Sequence, residues 1–158
     1  MDKIYKINDF KEECQARGLR PPYELMREML RKTLAGHDEI SIPQSVFDEM
    51  EETKRKEQEW EEAYNEITTL RLSGMANEAN IEMAISEYAK CIELGEKSEY
   101  NLFHAYAHAY TRIIILLHKA GKFKEEAKYI SNLLSHEVSE KERNKYLCRL
   151  EKLQKKIL

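Results

Sequence analysis

The stretch between Ser98 and Ser135 constrains this chain more than any other. On a helical wheel of 100° per residue, the segment Glu99–Ala120 separates into two faces. Leu102, Phe103, Ala105, Tyr106, Ala109, Tyr110, Ile113, Ile114, Leu116 and Leu117 occupy about half the circumference. His104, His108, Thr111, Ile115 and His118 fall together on the opposite strip. One neighbouring helix cannot cover an apolar face that wide, so the segment belongs in the middle of a helical stack with a narrow strip left outside. The short turn Gly121-Lys122-Phe123 then returns the chain into a second helix, Lys124–Leu134.

The same helical spacing recurs from end to end. Glycine and proline are scarce, at five and three residues of 158, and charged residues make up 35%. Period-three-to-four apolar spacing with abundant Glu, Lys, Leu and Ala predicts an all-α chain. Its length suits one compact domain. Gly18, Gly36, Gly95 and Gly121 each follow a periodic segment, where a left-handed C-terminal cap residue is expected, and Gly74 lies near the end of another. No phosphate-cradling glycine pattern is present.

In chain order, the spacing predicts a short helix over Asp9–Arg17, capped by Asn8 or Asp9. A stiff Leu19-Arg20-Pro21-Pro22 linker leads to a helix over Pro22–Ala35. That helix presents Tyr23, Met26, Met29, Leu30, Thr33 and Leu34 on one face. His37–Ile42 reads as loop, and Ser41 with Gln44 as a capping box opening a long helix over Pro43–Ser73. The charged run Glu51–Glu59 within it is a solvated bridge, with Glu51–Arg55 and Glu52–Lys56 as i,i+4 pairs. Asn80 caps a fourth helix that ends at Leu94 and Gly95, and Ser98 caps the central one. Ser139 with Glu142 opens a last helix over Glu140–Ile157. This divides the chain into an N-terminal helical pair and loop, residues 1–42, and a helical region, residues 43–158.

Within that region, Ala84-Ile85-x-x-Tyr88-x-x-Cys91-Ile92-Glu93-Leu94 resembles the second helix of a tetratricopeptide repeat. Gly121-Lys122-Phe123-Lys124-Glu125-Glu126-Ala127-Lys128-Tyr129-Ile130-x-x-Leu133-Leu134 is similar to the turn and second helix of another. Tyr110, Ile113, Ile114 and Leu117 match first-helix core positions of that family. Ala127 falls one place late, and Ile114 replaces a small residue. Ala84, Tyr88 and Cys91 map onto Glu126, Ile130 and Leu133 at a period of 42 residues, against about 34 in the family. The resemblance covers roughly residues 60–157. It implies a right-handed stack of antiparallel helix pairs (a TPR-like α-α superhelix), with a C-terminal capping helix.

The first helices of such a stack line a concave groove. Here that groove would present His104, His108, Thr111, Arg112, Ile115, His118 and Lys119 to a peptide or partner helix. Thr111 and Ile115 stand where carboxylate-binding members of the family carry Lys and Asn, so that specificity is not implied.

The expected function is therefore a non-catalytic protein-interaction module, an adaptor or scaffold, with no cofactor. Self-association through the N-terminal pair or the final helix is a further expectation. The histidine pair His104/His108 has metal-ligand spacing, but no third ligand on its helix completes a set. Serine and cysteine stand in no recognisable nucleophile motif.

The three cysteines, Cys14, Cys91 and Cys148, form no CxxC pair and suit a reducing compartment. No apolar run is long enough for a membrane span or a signal core, which leads to a cytoplasmic expectation. Net charge runs +2 over residues 1–36, −11 over 37–100 and +6 over 101–158.

The alternative reading is a TPR-like regulator that contacts nucleic acid through the basic stripe Lys141, Lys145, Arg149, Lys152 and Lys156. Cys14–Leu30 makes a poor helix-turn-helix, because Arg17 and Glu24 take positions that motif buries and two prolines occupy its turn.

Overall fold

The computed structural model describes residues 2–158. It is mostly helical, with seven helices and one two-stranded sheet among the described residues. The chain divides into two compact units, Met1–Trp60 and Glu61–Leu158. The division falls inside a continuous helix, just after the charged run Glu51–Glu59.

The all-α expectation holds for most of the chain, and the first unit adds a small two-stranded sheet to it. Strand β1 (Asp2–Lys6) pairs antiparallel with β2 (Glu39–Pro43), in the register Asp2↔Pro43 to Lys6↔Glu39. In β2, Ile40 and Ile42 point inward and are buried while Glu39, Ser41 and Pro43 point outward, the two-residue alternation of a strand. Five residues are too short a window to reveal that period, and the pairing partner lies more than thirty residues away. Ser41 accordingly caps no helix; its hydroxyl donates to Asp2 across the sheet.

Helix α1 (Ile7–Ala16) starts directly from β1, with extended Lys6 as N-cap rather than Asn8 or Asp9, and it buries Ile7, Phe10 and Cys14. Gly18 closes it with φ +65°. Helix α2 (Tyr23–Leu34) buries Leu25 and Met29. Of the apolar face that the spacing predicts, Met29 is buried while Tyr23, Met26, Leu30 and Leu34 are exposed. The unit's core is completed by Leu19, Ile40, Ile42, Val46 and Met50. Tyr5, Phe10 and Phe47 meet edge to face beside it, with Arg17 over the Phe47 ring at 4.5 Å.

Helix α3 (Val46–Ala76) carries Val46 and Met50 into the first core and Ile67 into the second. Its charged stretch forms other pairs than the expected Glu51–Arg55 and Glu52–Lys56. Glu51 takes Arg17, while Arg55 bridges Glu52 and Glu59.

In the second unit, α4 (Ile81–Lys97), α5 (Phe103–Lys119), α6 (Phe123–Leu134) and α7 (Glu140–Ile157) each pack on the next. Asn80 accepts a hydrogen bond from the Met83 N–H, and Ser139 from the Glu142 N–H, so both expected caps are in place. Ser98 is not the cap of α5. It ends α4, and α5 begins five residues later, at Phe103 behind Leu102.

Gly95 is likewise no cap. It lies buried inside α4, where a Cβ would overlap the ring of Tyr106; at Gly74 in α3, a Cβ would lie 2.7 Å from Tyr88 Cε1. Two tyrosine rings of the core thus pack against helix backbone bared by glycine. Helix propensity alone makes Gly95→Ala stabilising by about 1 kcal/mol. The overlap with a ring fixed on all sides instead predicts a loss of about 1–3 kcal/mol. Urea unfolding decides between them, and a variant more stable than the wild type would remove the close packing from the account.

Candidate functional site: the outer strip of helix α5

Helix α5 is the centre of the second unit. Ala105, Tyr106, Ala109, Tyr110, Ile113, Ile114, Leu116 and Leu117 are buried on it, with Leu102 just ahead. The wheel therefore assigns the faces correctly. His104, His108 and Lys119 are exposed, and Thr111, Arg112, Ile115 and His118 are half-buried. From His104 to Ile115 the strip runs about 16 Å along the helix. The His104 ring stacks near Tyr64 of α3, with centroids 6.0 Å apart.

Two members of the strip are engaged inside the fold. The Arg112 Nε donates to Glu78 Oε1 at 2.9 Å, beside the buried Tyr88 ring. Burial first, then the Glu78 carboxylate, raises the pKa of Tyr88. His118 turns towards α6, with Nδ1 2.9 Å from Glu126 Oε2. The other oxygen of Glu126 accepts from Arg149 Nε at 2.9 Å and Nη2 at 2.8 Å. Glu126 is fully buried, and its carboxylate is held between the Arg149 guanidinium from α7 and the His118 imidazole from α5.

That geometry also breaks the basic stripe. Arg149 is spent on Glu126, Lys156 lies over the Phe123 ring at 5.1 Å and Lys145 over Tyr146 at 5.5 Å. Lys141 and Lys152 are exposed on α7, without an ion pair among the described residues.

A second cluster was not foreseen from the sequence. Tyr110 donates its hydroxyl to Glu96 Oε1, and His136 Nε2 stands 2.6 Å from the same oxygen. The His136 ring lies flat on Phe103, with centroids 4.2 Å apart and planes at 14°. Tyr110 and Tyr129 help line an open cleft of about 460 Å³ between α4 and α6. Burial raises the pKa of both, of Tyr110 also through its bond to Glu96, and pushes Tyr106 up to about 12.

Glu126 could have been suspected: it is a carboxylate at an inward slot of the α6 stripe, four residues before Ile130. His136, placed just beyond a helix end, carries no such signal.

Cys91 donates its thiol to the Ile67 carbonyl at 3.3 Å, and burial pushes its pKa up to about 11. The reactive form of cysteine is the thiolate, so this residue is held as packing at neutral pH. Cys14 is buried as well, while Cys148 is exposed. Among the described residues, no three His, Cys, Asp or Glu side chains gather to hold a metal ion. No described helix is long and apolar enough to cross a membrane. No protein-family model, no curated protein and no solved structure matches the chain.

Proposed function

We propose that this chain is a non-catalytic interaction module that holds a peptide or partner helix along the outer strip of α5. One observation carries the reading. α5 is buried on every side but one, and that side offers His104, His108, Thr111 and Ile115 in line, a mixed polar and apolar track suited to an extended or helical peptide.

The tetratricopeptide-like reading supplies the context. α3 with α4 and α5 with α6 are successive helix pairs, α7 closes the series, and a strip on a first helix then belongs to the concave side. The 42-residue correspondence supports it: Ala84, Tyr88, Cys91, Glu126, Ile130 and Leu133 are all buried. A TPR-like superhelix is thus the arrangement proposed, and an adaptor role inside a cell is the role that goes with it. The nucleic-acid alternative keeps Lys141 and Lys152 but loses Arg149, which leaves a thin phosphate track.

Selection of displayed peptides on the intact chain tests the proposal. Selected peptides should bind the His108→Glu and Ile115→Glu variants at least about ten-fold more weakly, as removal of a central contact does. Peptides that bind both variants as well as the wild type would place recognition elsewhere.

A further inference from the structure

The small sheet of the first unit uses only half of the backbone groups of β2. The Ile7 N–H donates to the Asp38 carbonyl at 2.8 Å, one step beyond the Lys6↔Glu39 pair. Hydrogen-bonded and non-bonded pairs alternate along an antiparallel ladder. The backbone groups of Asp38, Ile40 and Ile42 therefore face β1, and those of Glu39, Ser41 and Pro43 face away from it. Pro43 fits that phase, because proline has no N–H and is tolerated in a strand where the ladder needs no donor. On the outward side, no backbone group of these three residues has a partner among the described residues.

Beside this edge lies a cleft of about 760 Å³. Ser41 and Pro43 line it, with α2 as the opposite wall and the buried side chains of Leu25 and Val46 as an apolar base. A strand sits about 4.8 Å from its neighbour and sends alternate side chains to opposite faces. Unpaired donors and acceptors in a row along an open cleft complement one ligand chemistry, an extended peptide backbone. A helical segment has already spent those groups on itself.

The walls add a charge order. Four residues separate the end of α2 at Leu34 from the start of β2 at Glu39, and Pro22 shares the cleft with Pro43. Glu24 therefore stands at the Pro43 end and Arg31 towards the other. Asp2, opposite Pro43 in the ladder, adds a second carboxylate at the first end. Neither Glu24 nor Arg31 makes an ion pair among the described residues.

We propose that this cleft binds an extended peptide segment of a partner protein. The segment adds to the sheet as a third strand along β2, with a basic residue beside Asp2 and Glu24 and an acidic residue beside Arg31. The site lies within the first unit and does not depend on the α5 strip.

The test is selection of displayed peptides on the full chain carrying His108→Glu and Ile115→Glu, which disables the α5 strip. N-methylation of a selected peptide at alternate residues should abolish binding, and at the intervening residues should leave it intact. Ser41→Pro should weaken binding at least about ten-fold, with an unchanged far-ultraviolet circular dichroism spectrum, because the Ser41 N–H has no partner in the fold. Ser41→Ala should bind as before, since it keeps that N–H. Arg31→Glu should select a basic residue where an acidic one stood.

No selected peptide, binding that survives Ser41→Pro, or tolerance of N-methylation at every position would each overturn the proposal. A dimer in sedimentation that Ser41→Pro dissolves would overturn it too, by giving the edge to a second copy. The methylation scan alters the peptide alone, so it decides even where Ser41→Pro fails to fold.

Discussion

Replacing Arg149 by Met is expected to destabilise the chain by about 3–5 kcal/mol, the usual cost of stripping one partner from a buried ion pair. The substitution roughly preserves volume and leaves the apolar stem in place, so packing contributes little to the loss. What remains is the carboxylate of Glu126, with no access to water and only His118 beside it. The reverse change, Glu126→Leu, should cost less. The Arg149 side chain it releases is 30% exposed and the His118 side chain 42%, so both can recover solvent.

The double variant Arg149→Met/Glu126→Leu should return to within about 1 kcal/mol of wild type, since a hydrophobic replacement of a buried pair is often neutral or better. Chemical unfolding of the four proteins closes the cycle. If Arg149→Met cost under about 1 kcal/mol, the ion pair could not be what joins α6 to α7.

Alkali should unfold this protein cooperatively between about pH 10 and 12. Burial is the leading cause of the raised pKa values of Tyr88, Tyr106, Tyr110 and Tyr129. In the unfolded chain a tyrosine loses its proton near pH 10. Between that pH and the folded-state value, the native protein holds more protons than the unfolded one, and stability falls as pH rises. Below pH 10 both states are protonated and the contribution is fully present.

Each such group removes about 1.4 kcal/mol per pH unit in that window. Several acting together exhaust the few kcal/mol by which a domain is stable. Cys91, held as a thiol up to about pH 11, adds to the loss from its own lower unfolded value. Absorbance of tyrosinate and helical ellipticity should therefore change together. A smooth titration of all nine tyrosines centred on pH 10, with the helices intact, would show that the aromatic cluster reaches solvent without unfolding.

Both outcomes turn on residues that the sequence displays only in part. The wheel of α5 was legible because ten apolar residues lie on one side of a single uninterrupted segment, enough repeats of 3.6 for the phase to be unambiguous. The turn at Gly121, with φ +72°, and the caps at Asn80 and Ser139 were equally legible, since each is decided by neighbours within three or four residues.

The misassignments share the opposite property. Nothing local distinguishes the Met26–Leu34 face of α2 from a core face; which side is covered depends on β2, more than thirty residues along the chain from β1. The sheet itself needs a partner strand before its alternation means anything. Gly95 and Gly74 resemble helix ends in one dimension and become close-packing sites only when a tyrosine from another helix lies on them.

Local spacing and short-range chemistry thus determine by themselves that the second unit is a series of amphipathic helices with α5 at its centre and a hydrophilic strip left outside. Tertiary packing alone decides which charges are spent internally, as with Arg112, His118 and Arg149, and which apolar face stays unclaimed. Burial is a relation between segments distant in the chain, and the free energy that a charge or a methyl group gains from it exists only once those segments have met.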